Sequence, residues 1–330
     1  FDDVKVSLGP DDLNPGQVVI FLDLSEQRTG SLTGGIGYAS NSGIFASIGL
    51  QETNALGRAW STNINLNFGE YSTTYNFSLS DPWIKGDKHK TSFRTNVYLS
   101  RNYPQEFRSD ENGRLYAVDD TNTTNSDSFS SIVLENTGGG FSFARPLNGG
   151  DPFKLSKWRV LAGMNFKRVR MIDGDGNKKP YGDMTPRTGN ISDIICIGFT
   201  PNDGSCPAEN TLVSIIASTS RNNLNNPVNP TSGNKFTLGS EQFVPLGENS
   251  PTFNRMKAAY SYFIPTKLIN LTKECRSSES NSENCPQAIG FQFKAGTAIG
   301  QLPPYEAFCM GGTSSVRGWG SCELAVSRSF

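Results

Sequence analysis

The sequence predicts an all-β fold, a transmembrane antiparallel β-barrel, from two patterns and one absence. Apolar and polar residues alternate at every second position through runs of roughly ten residues, the spanning length of a tilted strand in a bilayer. Charged residues make up 18% of the 330-residue chain, against roughly 25% in ordinary globular proteins, whereas glycines (34) and aromatic residues (11%) are abundant. No stretch approaches the roughly 18 apolar residues of a membrane helix, so a helical membrane protein is excluded.

The clearest pair of strands lies between residues 60 and 79. Every second residue from Trp60 to Phe68 is apolar or Thr, and the residues between them are Ser or Asn. The next run, from Tyr71 to Leu79, repeats the pattern after a turn, so the two form a hairpin with one continuous apolar face. About ten further runs bring the total to about twelve strands. They are Leu32–Tyr38, Ile44–Leu50, Phe93–Leu99, Gly139–Phe143, Trp158–Phe166, Thr211–Ser218, Phe236–Phe243, Met256–Ile264, Ile289–Ile299 and a piece after Trp319.

The second face of these runs predicts a wet, rather basic lumen. A soluble β-sandwich also alternates, but its strands usually run five or six residues. Short links at 41–43 and 69–70 and long loops at 102–128 and 172–210 are expected at opposite ends of the barrel. The polar residues of this second face include Arg94, Asn96, Arg159, Lys167, Arg255, Lys257, Gln292 and Lys294.

Six cysteines form three couples that are close in sequence. Disulfides in an oxidising compartment explain this spacing better than a metal site, because no CxxC occurs and the single histidine, His89, is distant. Unrelated free thiols are the alternative. The predicted couples are Cys196 with Cys206, Cys275 with Cys285, and Cys309 with Cys322.

The chain offers no convincing catalytic, cofactor or metal site. Asp173, Asp175 and Asn177 have the opening spacing of a calcium loop, but Lys178 and Met184 replace the glycine and glutamate that such a loop needs. A polar turn is therefore expected there. No nucleophile elbow or phosphate loop is present, so we expect no enzyme. A net charge of -1 gives no field that would recruit nucleic acid.

Residues 302–320 read LPPYEAFCMGGTSSVRGWG. They resemble the signature loop of the BamA-like superfamily, also called the bacterial surface antigen family. That superfamily includes outer-membrane assembly factors, two-partner secretion transporters and the chloroplast Toc channel. In it a Gly-Gly…Val-Arg-Gly-aromatic tip, between strands eleven and twelve, folds back into the barrel. Here the motif follows the eleventh run, and its residues are Gly311, Gly312, Val316, Arg317, Gly318 and Trp319.

Other stretches extend the resemblance over nearly the whole chain. The stretch GSLTGGIGYASNSG resembles the family's first barrel hairpin, and SLSDPWI resembles the family's turn after strand four. The stretches PPYEAFCMGG and Cys275 to Cys285 are most similar to the cyanobacterial and plastid branch. Members have POTRA domains before sixteen strands. The resemblance therefore implies that residues 1–28 are the end of the last POTRA domain and residues 29–330 an incomplete barrel, truncated at both ends; a smaller closed barrel is the alternative.

The resemblance implies an outer-membrane assembly factor without cofactors, in a bacterium or the chloroplast outer envelope. Arg317 would dock on the inner wall of the strands after the loop. Substrates, which are unfolded outer-membrane proteins, would be received at a seam near Gly34, Gly35 and Gly37, although tight strand packing also explains these glycines. Outer-membrane lipid and periplasmic chaperones or accessory subunits are the other expected partners. The alternatives are a polypeptide-translocating channel, a passive porin with anion preference, and a soluble β-sandwich binding module.

Overall fold

The computed structural model describes residues 3–10, 16–39, 43–70, 72–102, 117–119, 129–131, 133–151, 153–154, 156–172, 182–184, 193–195, 209–246, 249–266, 286–311, 315–319, 324–326 and 328–329. A 3-10 turn spans Pro304–Glu306. Within these ranges, no helix has the length and apolar character needed to span a membrane. The strands are β1 (Asp3–Pro10), β2 (Val18–Ser25), β3 (Gly30–Ala39), β4 (Gly43–Ala55), β5 (Trp60–Gly69), β6 (Ser72–Asp81), β7 (Ser92–Asn102), β8 (Ala117–Asp119), β9 (Phe129–Ser131), β10 (Val133–Pro146), β11 (Trp158–Ile172), β12 (Gly182–Met184), β13 (Asp193–Ile195), β14 (Glu209–Asn222), β15 (Gly233–Val244), β16 (Phe253–Pro265), β17 (Ala288–Gly300), β18 (Phe308–Met310), β19 (Leu324–Val326) and β20 (Arg328–Ser329).

Twelve strands form one antiparallel sheet in the order β20-β17-β16-β15-β14-β11-β10-β7-β6-β5-β4-β3. The eleven strands from β3 to β17 in this sheet have ten to fifteen residues each. Three small sheets accompany it: β1 with β2, β18 with β19, and β13-β12-β8-β9. The antiparallel sheet confirms the all-β prediction and the expected number of strands. The strand lengths match those of tilted membrane-spanning strands.

Cross-strand pairs build the predicted apolar face. Ile64 lies opposite Phe77, and Leu66 lies opposite Tyr75. The rings of Phe68 and Tyr75 meet edge to face with their centroids 5.6 Å apart. Such pairs are the unit of sheet stabilisation, so the register is fixed by the apolar alternation itself. This is the outward face of the barrel.

The opposite face is the one on which residues 302–308, here called the loop base, are packed. Its side chains on β3 to β6 are uncharged, whereas from β7 to β17 it bears seven cations and a single carboxylate, Glu241. The basic inner wall that the sequence predicted is therefore present, and confined to one side of the sheet. The seven cations are Arg94, Arg159, Lys167, Lys235, Arg255, Lys257 and Lys294.

The up-and-down order fixes the end at which each connection lies. We call the end where Gly30 begins β3 the lower end, and the end where β3 finishes the upper end. The short links 40–42 and 70–71 follow β3 and β5, and the long connections follow β7 and β11, so all four lie at the upper end. The expectation that short links and long loops occupy opposite ends is wrong for these connections, because strand parity decides the end and link length does not.

The outward face has an apolar band with a defined height. At its lower border Trp158 packs against the Arg221 guanidinium, with 5.7 Å from that group to the ring centroid. At its upper border Glu135 joins Arg101 (2.8 Å) and Arg170 (3.4 Å). The ten residue steps from Trp158 to Arg168 on β11 span roughly 25 Å at a strand tilt of about 40°, which is the height of an outer-membrane apolar band.

Close strand packing explains the glycine run of β10. A Cβ on Gly138 would lie 2.5 Å from the Phe166 carbonyl oxygen, and one on Gly139 would lie 2.6 Å from the Asn96 carbonyl oxygen. Contacts this short with backbone atoms require the sheet to shift. Glycine is therefore needed in this part of the sheet, because a side chain would clash with the backbone of the neighbouring strands.

The predicted strand at Val18–Leu24 is present as part of β2, paired with β1 along its whole length. The sequence indicated a buried strand, but Ile20 and Leu22 are each 61% exposed. They are exposed because, within the described residues, β1 is the partner of β2 and no second layer covers the pair. The assignment of residues 1–28 to a POTRA domain stays a prediction.

Candidate functional site

The chain turns from the end of β17 onto the inner face. Gly300 has a φ of +109°, and a Cβ there would lie 2.6 Å from the Thr252 carbonyl oxygen, so the turn requires glycine. Pro303 is fully buried, and its carbonyl accepts the Glu306 backbone N–H at 3.0 Å. The 3-10 turn that results presents two successive side chains, Tyr305 and Glu306, to the strands beneath.

An apolar cluster at the upper end of the inner face receives Leu302 and Tyr305 of the loop base. The Phe243 and Phe253 rings stack within it, with their centroids 4.0 Å apart. Because β10, β11, β14, β15 and β16 all contribute side chains, the cluster exists only once those strands are paired. Its members are Leu134, Val169, Met171, Leu212, Phe243 and Phe253.

Tyr305 adds a directed polar contact to this packing. Its hydroxyl donates to the Asn210 side-chain oxygen at 2.9 Å. The Asn210 amide in turn donates to the Asn249 carbonyl oxygen at 2.9 Å. Burial, reinforced by the charge of Glu306, raises the pKa of Tyr305 well above its usual value. The hydroxyl therefore remains protonated and keeps donating, which fixes the loop base to β14.

Glu306 is the electrostatic centre of the site. Its side chain is 5% exposed and contacts cations on two strands that lie on either side of β14 and β15. The Lys167 ammonium of β11 donates to one carboxylate oxygen, and the Arg255 guanidinium of β16 donates to the other at 2.8 Å. Charge-assisted hydrogen bonds of this kind are about twice as strong as neutral ones. Glu306 thus binds the loop base to the wall at two points.

Arg255 links the loop to a second carboxylate, that of the partly buried Glu241. Its other terminal nitrogen donates to Glu241 at 2.7 Å, and the Ser214 hydroxyl also donates to Glu241 at 2.8 Å. The two carboxylates of Glu241 and Glu306 balance the charges of Arg255 and Lys167, so these four side chains carry no net charge. A neutral, hydrogen-bonded set of charges is the form in which buried ions are tolerated.

The end of the loop base returns along the same wall. Phe308 lies on Gly296, where an added Cβ would be 2.7 Å from the ring, and the Lys257 ammonium is 5.8 Å from the ring centroid. Strand β18, which begins at Phe308, pairs with β19. The predicted motif residues lie between these two strands, at the tip of a hairpin whose base is docked.

The described part of the tip is exposed to solvent. Arg317 and Trp319 lie at its surface, and no ion pair of Arg317 occurs within the described residues. Gly311 and Gly318 have φ values of +121° and +94°, so both positions favour glycine. Gly312 lies outside the described residues. The docking of Arg317 on the inner wall stays a prediction.

Sequence reasoning missed the residues that dock the loop. Glu306 and Tyr305 entered only as letters of the motif, although Lys167 and Arg255 were placed correctly on the basic inner face. A usable signal was present: Glu306 is the one charged residue in the stretch 302–311, and that stretch follows a strand of a wall rich in cations. A lone carboxylate in such a segment predicts an ion pair.

The predicted seam glycines lie on β3, which is the last strand of the described sheet and pairs with β4. A Cβ on Gly37 would lie 2.8 Å from the Phe45 ring. The positions Gly34 and Gly35 have more room, with their nearest contacts at 3.8 and 3.9 Å, both to Ser47. Packing therefore accounts for Gly37, whereas it does not demand glycine at the other two positions.

The disulfide predictions fall almost wholly outside the described residues. The backbone of Cys309 lies in β18, and the other five cysteines are in segments that the structure does not describe. The polar turn at 173–178 also lies outside. The three cysteine couples therefore stay predictions.

Comparison with known families identifies the fold. Residues 54–329 match the Omp85 superfamily domain. The chain belongs to the Omp85 superfamily. Outer envelope protein 80 of Arabidopsis thaliana chloroplasts is 24% identical over 325 residues, and its counterpart in Oryza sativa is 23% identical over 323. These matches cover 96% and 95% of this chain but 36% and 40% of the relatives, so the chain spans little more than a third of their length.

Solved structures agree on the barrel fold of this Omp85 member. BamA from Haemophilus ducreyi lacking POTRA domains 1-3 superimposes with a TM-score of 0.60 at 17% identity, covering 98% of this chain and 52% of that one. CdiB from Escherichia coli gives 0.54 at 14% identity, covering 97% and 49%. The family places the protein in an outer membrane, either bacterial or that of the chloroplast envelope, and the plastid relatives fit the predicted branch.

Proposed function

We propose that this Omp85 member is an outer-membrane assembly factor that folds and inserts other outer-membrane proteins and catalyses no bond chemistry. The loop that carries Val316–Trp319 supports the barrel conformation that receives substrate. The observation that carries the proposal is the docking of the loop base through Glu306, which joins two strands of the inner wall. A loop attached to the wall in this way supports the barrel from the inside, which a free surface loop would not do.

The same observation disfavours a passive porin. A porin needs an open lumen for small solutes. Here Leu302, Tyr305 and Glu306 occupy the upper part of the inner face and cover side chains from β10 to β16. The porin hypothesis leaves this buried attachment without a purpose, whereas a protein that changes conformation around a substrate needs a defined internal support.

Strand β3, the last strand of the described sheet, is the proposed receiving site. Within the described residues it pairs with β4 on one side, and an incoming strand would add to its other side, as in β-strand addition. Gly34 and Gly35 weaken the hold of this strand, because glycine gains little from side-chain packing. Unfolded outer-membrane proteins would bind here, beside membrane lipid, after delivery by periplasmic chaperones or accessory subunits. The β1–β2 pair would be the end of a POTRA domain spanning residues 1–28.

Depletion of the protein in its own cell, followed by quantitative proteomics of the outer membrane, tests the proposal. A parallel fall of many unrelated barrel proteins is expected. Loss of the transport of a single cargo would instead identify a polypeptide-translocating channel, and a change in small-solute uptake alone would identify a porin. Complementation with a Glu306→Gln variant is expected to restore assembly poorly, whereas Glu135→Gln, which alters a buried carboxylate on the opposite, outward face of the sheet, should restore it fully.

A further inference from the structure

The lower half of the inner face holds a second charged region, here called the basin. Three cations, Arg94, Arg159 and Lys235, line a cavity of about 490 Å³. They lie on β7, β11 and β15; β10 separates the first two of these strands, and β14 separates the last two. The strands between them, β10 and β14, contribute small side chains, which leave space at the bottom of the cavity. These small residues are Ser142, Ala144, Ser218 and Ser220.

The cations of the basin differ from Lys167 and Arg255 at the upper end, which are paired with carboxylates. No Asp or Glu of the described residues lies within ion-pair distance of Arg94, Arg159 or Lys235. Asp81 also lines the cavity, but its carboxylate accepts the Trp83 backbone N–H at 3.0 Å. By contrast, Glu306 and Glu241 form ion pairs with Lys167 and Arg255 at the loop site. Two inner cations are thus paired with carboxylates where the loop docks, whereas the three basin cations have no such partner among the described residues.

One of the basin cations is held in position. An Arg159 terminal nitrogen donates to the Ser92 hydroxyl at 3.1 Å, and that hydroxyl donates to the Ala144 carbonyl oxygen at 3.2 Å. The guanidinium keeps further N–H donors for a ligand, since it carries five. A fixed guanidinium fork is suited to a planar carboxylate, which it binds through two parallel hydrogen bonds.

We propose that the basin binds carboxylate side chains of an acidic polypeptide segment inside the lumen. The basin faces the inner side, whereas the apolar band that contacts lipid is on the other face, so a lipid headgroup is the poorer match. Strands that carry the cations are about 10 Å apart, and alternate side chains of an extended segment are about 7 Å apart, which long Arg and Lys side chains can bridge. The choice of a polypeptide as the source of the carboxylates rests on the proposed function.

Binding of a defined probe to the full-length protein in lipid nanodiscs tests this inference. The probe is a short labelled peptide that alternates Asp and Ser, compared by fluorescence anisotropy with its Asn-Ser counterpart. We expect the Asp peptide to bind on the order of ten- to a hundredfold more tightly, and added salt to weaken it. The triple variant Arg94→Gln, Arg159→Gln, Lys235→Gln should lose this preference. Arg221→Gln, a cation at the same end on the outward face, should keep it.

Equal binding of the two peptides to the wild-type protein would overturn the proposal, and this comparison needs no variant. Retention of the preference by a folded triple variant, shown folded by its heat-dependent gel mobility, would overturn it equally. Displacement of the Asp peptide by inorganic phosphate more readily than by acetate would show a phosphate site instead. The assay measures binding in vitro, so it can succeed or fail independently of the cellular depletion experiment that tests the assembly function.

Discussion

Replacing Glu306 by glutamine is the sharpest test of the loop site. The substitution keeps the shape of the side chain and removes its charge. Lys167 and Arg255 then lose a buried anionic partner, although Arg255 retains Glu241 at 2.7 Å. The Lys167 side chain is 25% exposed and can recover some hydration. The substitution should therefore mainly weaken the attachment of the loop base to the wall, and the strands should remain paired.

The size of the effect follows from the contacts. Hydrogen bonds to charged groups contribute about 1.5–3 kcal/mol each, and Glu306 accepts one from each of two cations. Allowing for rehydration of Lys167 and for one hydrogen bond kept by the amide, the docked state should lose about 3 kcal/mol. Since each 1.4 kcal/mol is about a factor of ten, the undocked fraction should rise by roughly a hundredfold.

Hydrogen exchange of a peptide covering residues 301–311, in the full-length protein in nanodiscs, measures that fraction. Exchange there should accelerate by about two orders of magnitude if it proceeds through undocking. Glu135→Gln is the matched control, because Glu135 is similarly buried and contacts two arginines but lies on the outward face. It should leave exchange at 301–311 unchanged. Equal exchange in wild type and Glu306→Gln would refute the reasoning.

Three further predictions follow from single positions. Tyr305→Phe removes one buried hydrogen bond, so exchange at 301–311 should rise about fivefold, for a loss of about 1 kcal/mol. Gly139→Ala should lower the free energy of unfolding in urea by about 1–3 kcal/mol, because its Cβ meets backbone, whereas Gly34→Ala should be near neutral. Hydrogen bonds, chiefly from the Thr91 hydroxyl, lower the pKa of Asp87 from 3.8 to about 2. Its stabilising effect is thus complete above about pH 4 and lost toward pH 2, so the gap in thermal stability between wild type and Asp87→Asn should close over that range.

Each of these predictions has an outcome that contradicts it. Unchanged exchange in Tyr305→Phe would show that the apolar packing alone holds the loop base. Equal urea midpoints for Gly139→Ala and Gly34→Ala would mean that β10 can shift without cost. A stability gap for Asp87→Asn that persists at about pH 2 would show that the carboxylate contributes through something other than its charge.

Much of the sheet could be predicted because its causes are local. The alternation from Trp60 to Phe68 sets which side chains face lipid, and it does so whatever the neighbouring strand. The same period placed Lys167 and Arg255 on the inner wall. It was harder to predict at which end of the barrel each connection lies. The link at 70–71 and the long connection after β7 lie at the same end because two strands, β6 and β7, separate them.

The sequence by itself determined the strands, their faces and the family loop, because a two-residue period and a contiguous motif are both short-range properties. Only the tertiary structure decided what holds the loop. Glu306 meets Lys167 across 139 residues and Arg255 across 51, and no local pattern encodes such a distance. The choice depends on which strands are neighbours and on which inner cations already have a partner. Side-chain chemistry thus determines which residues can form ion pairs, and the order of the strands determines which of those ion pairs form.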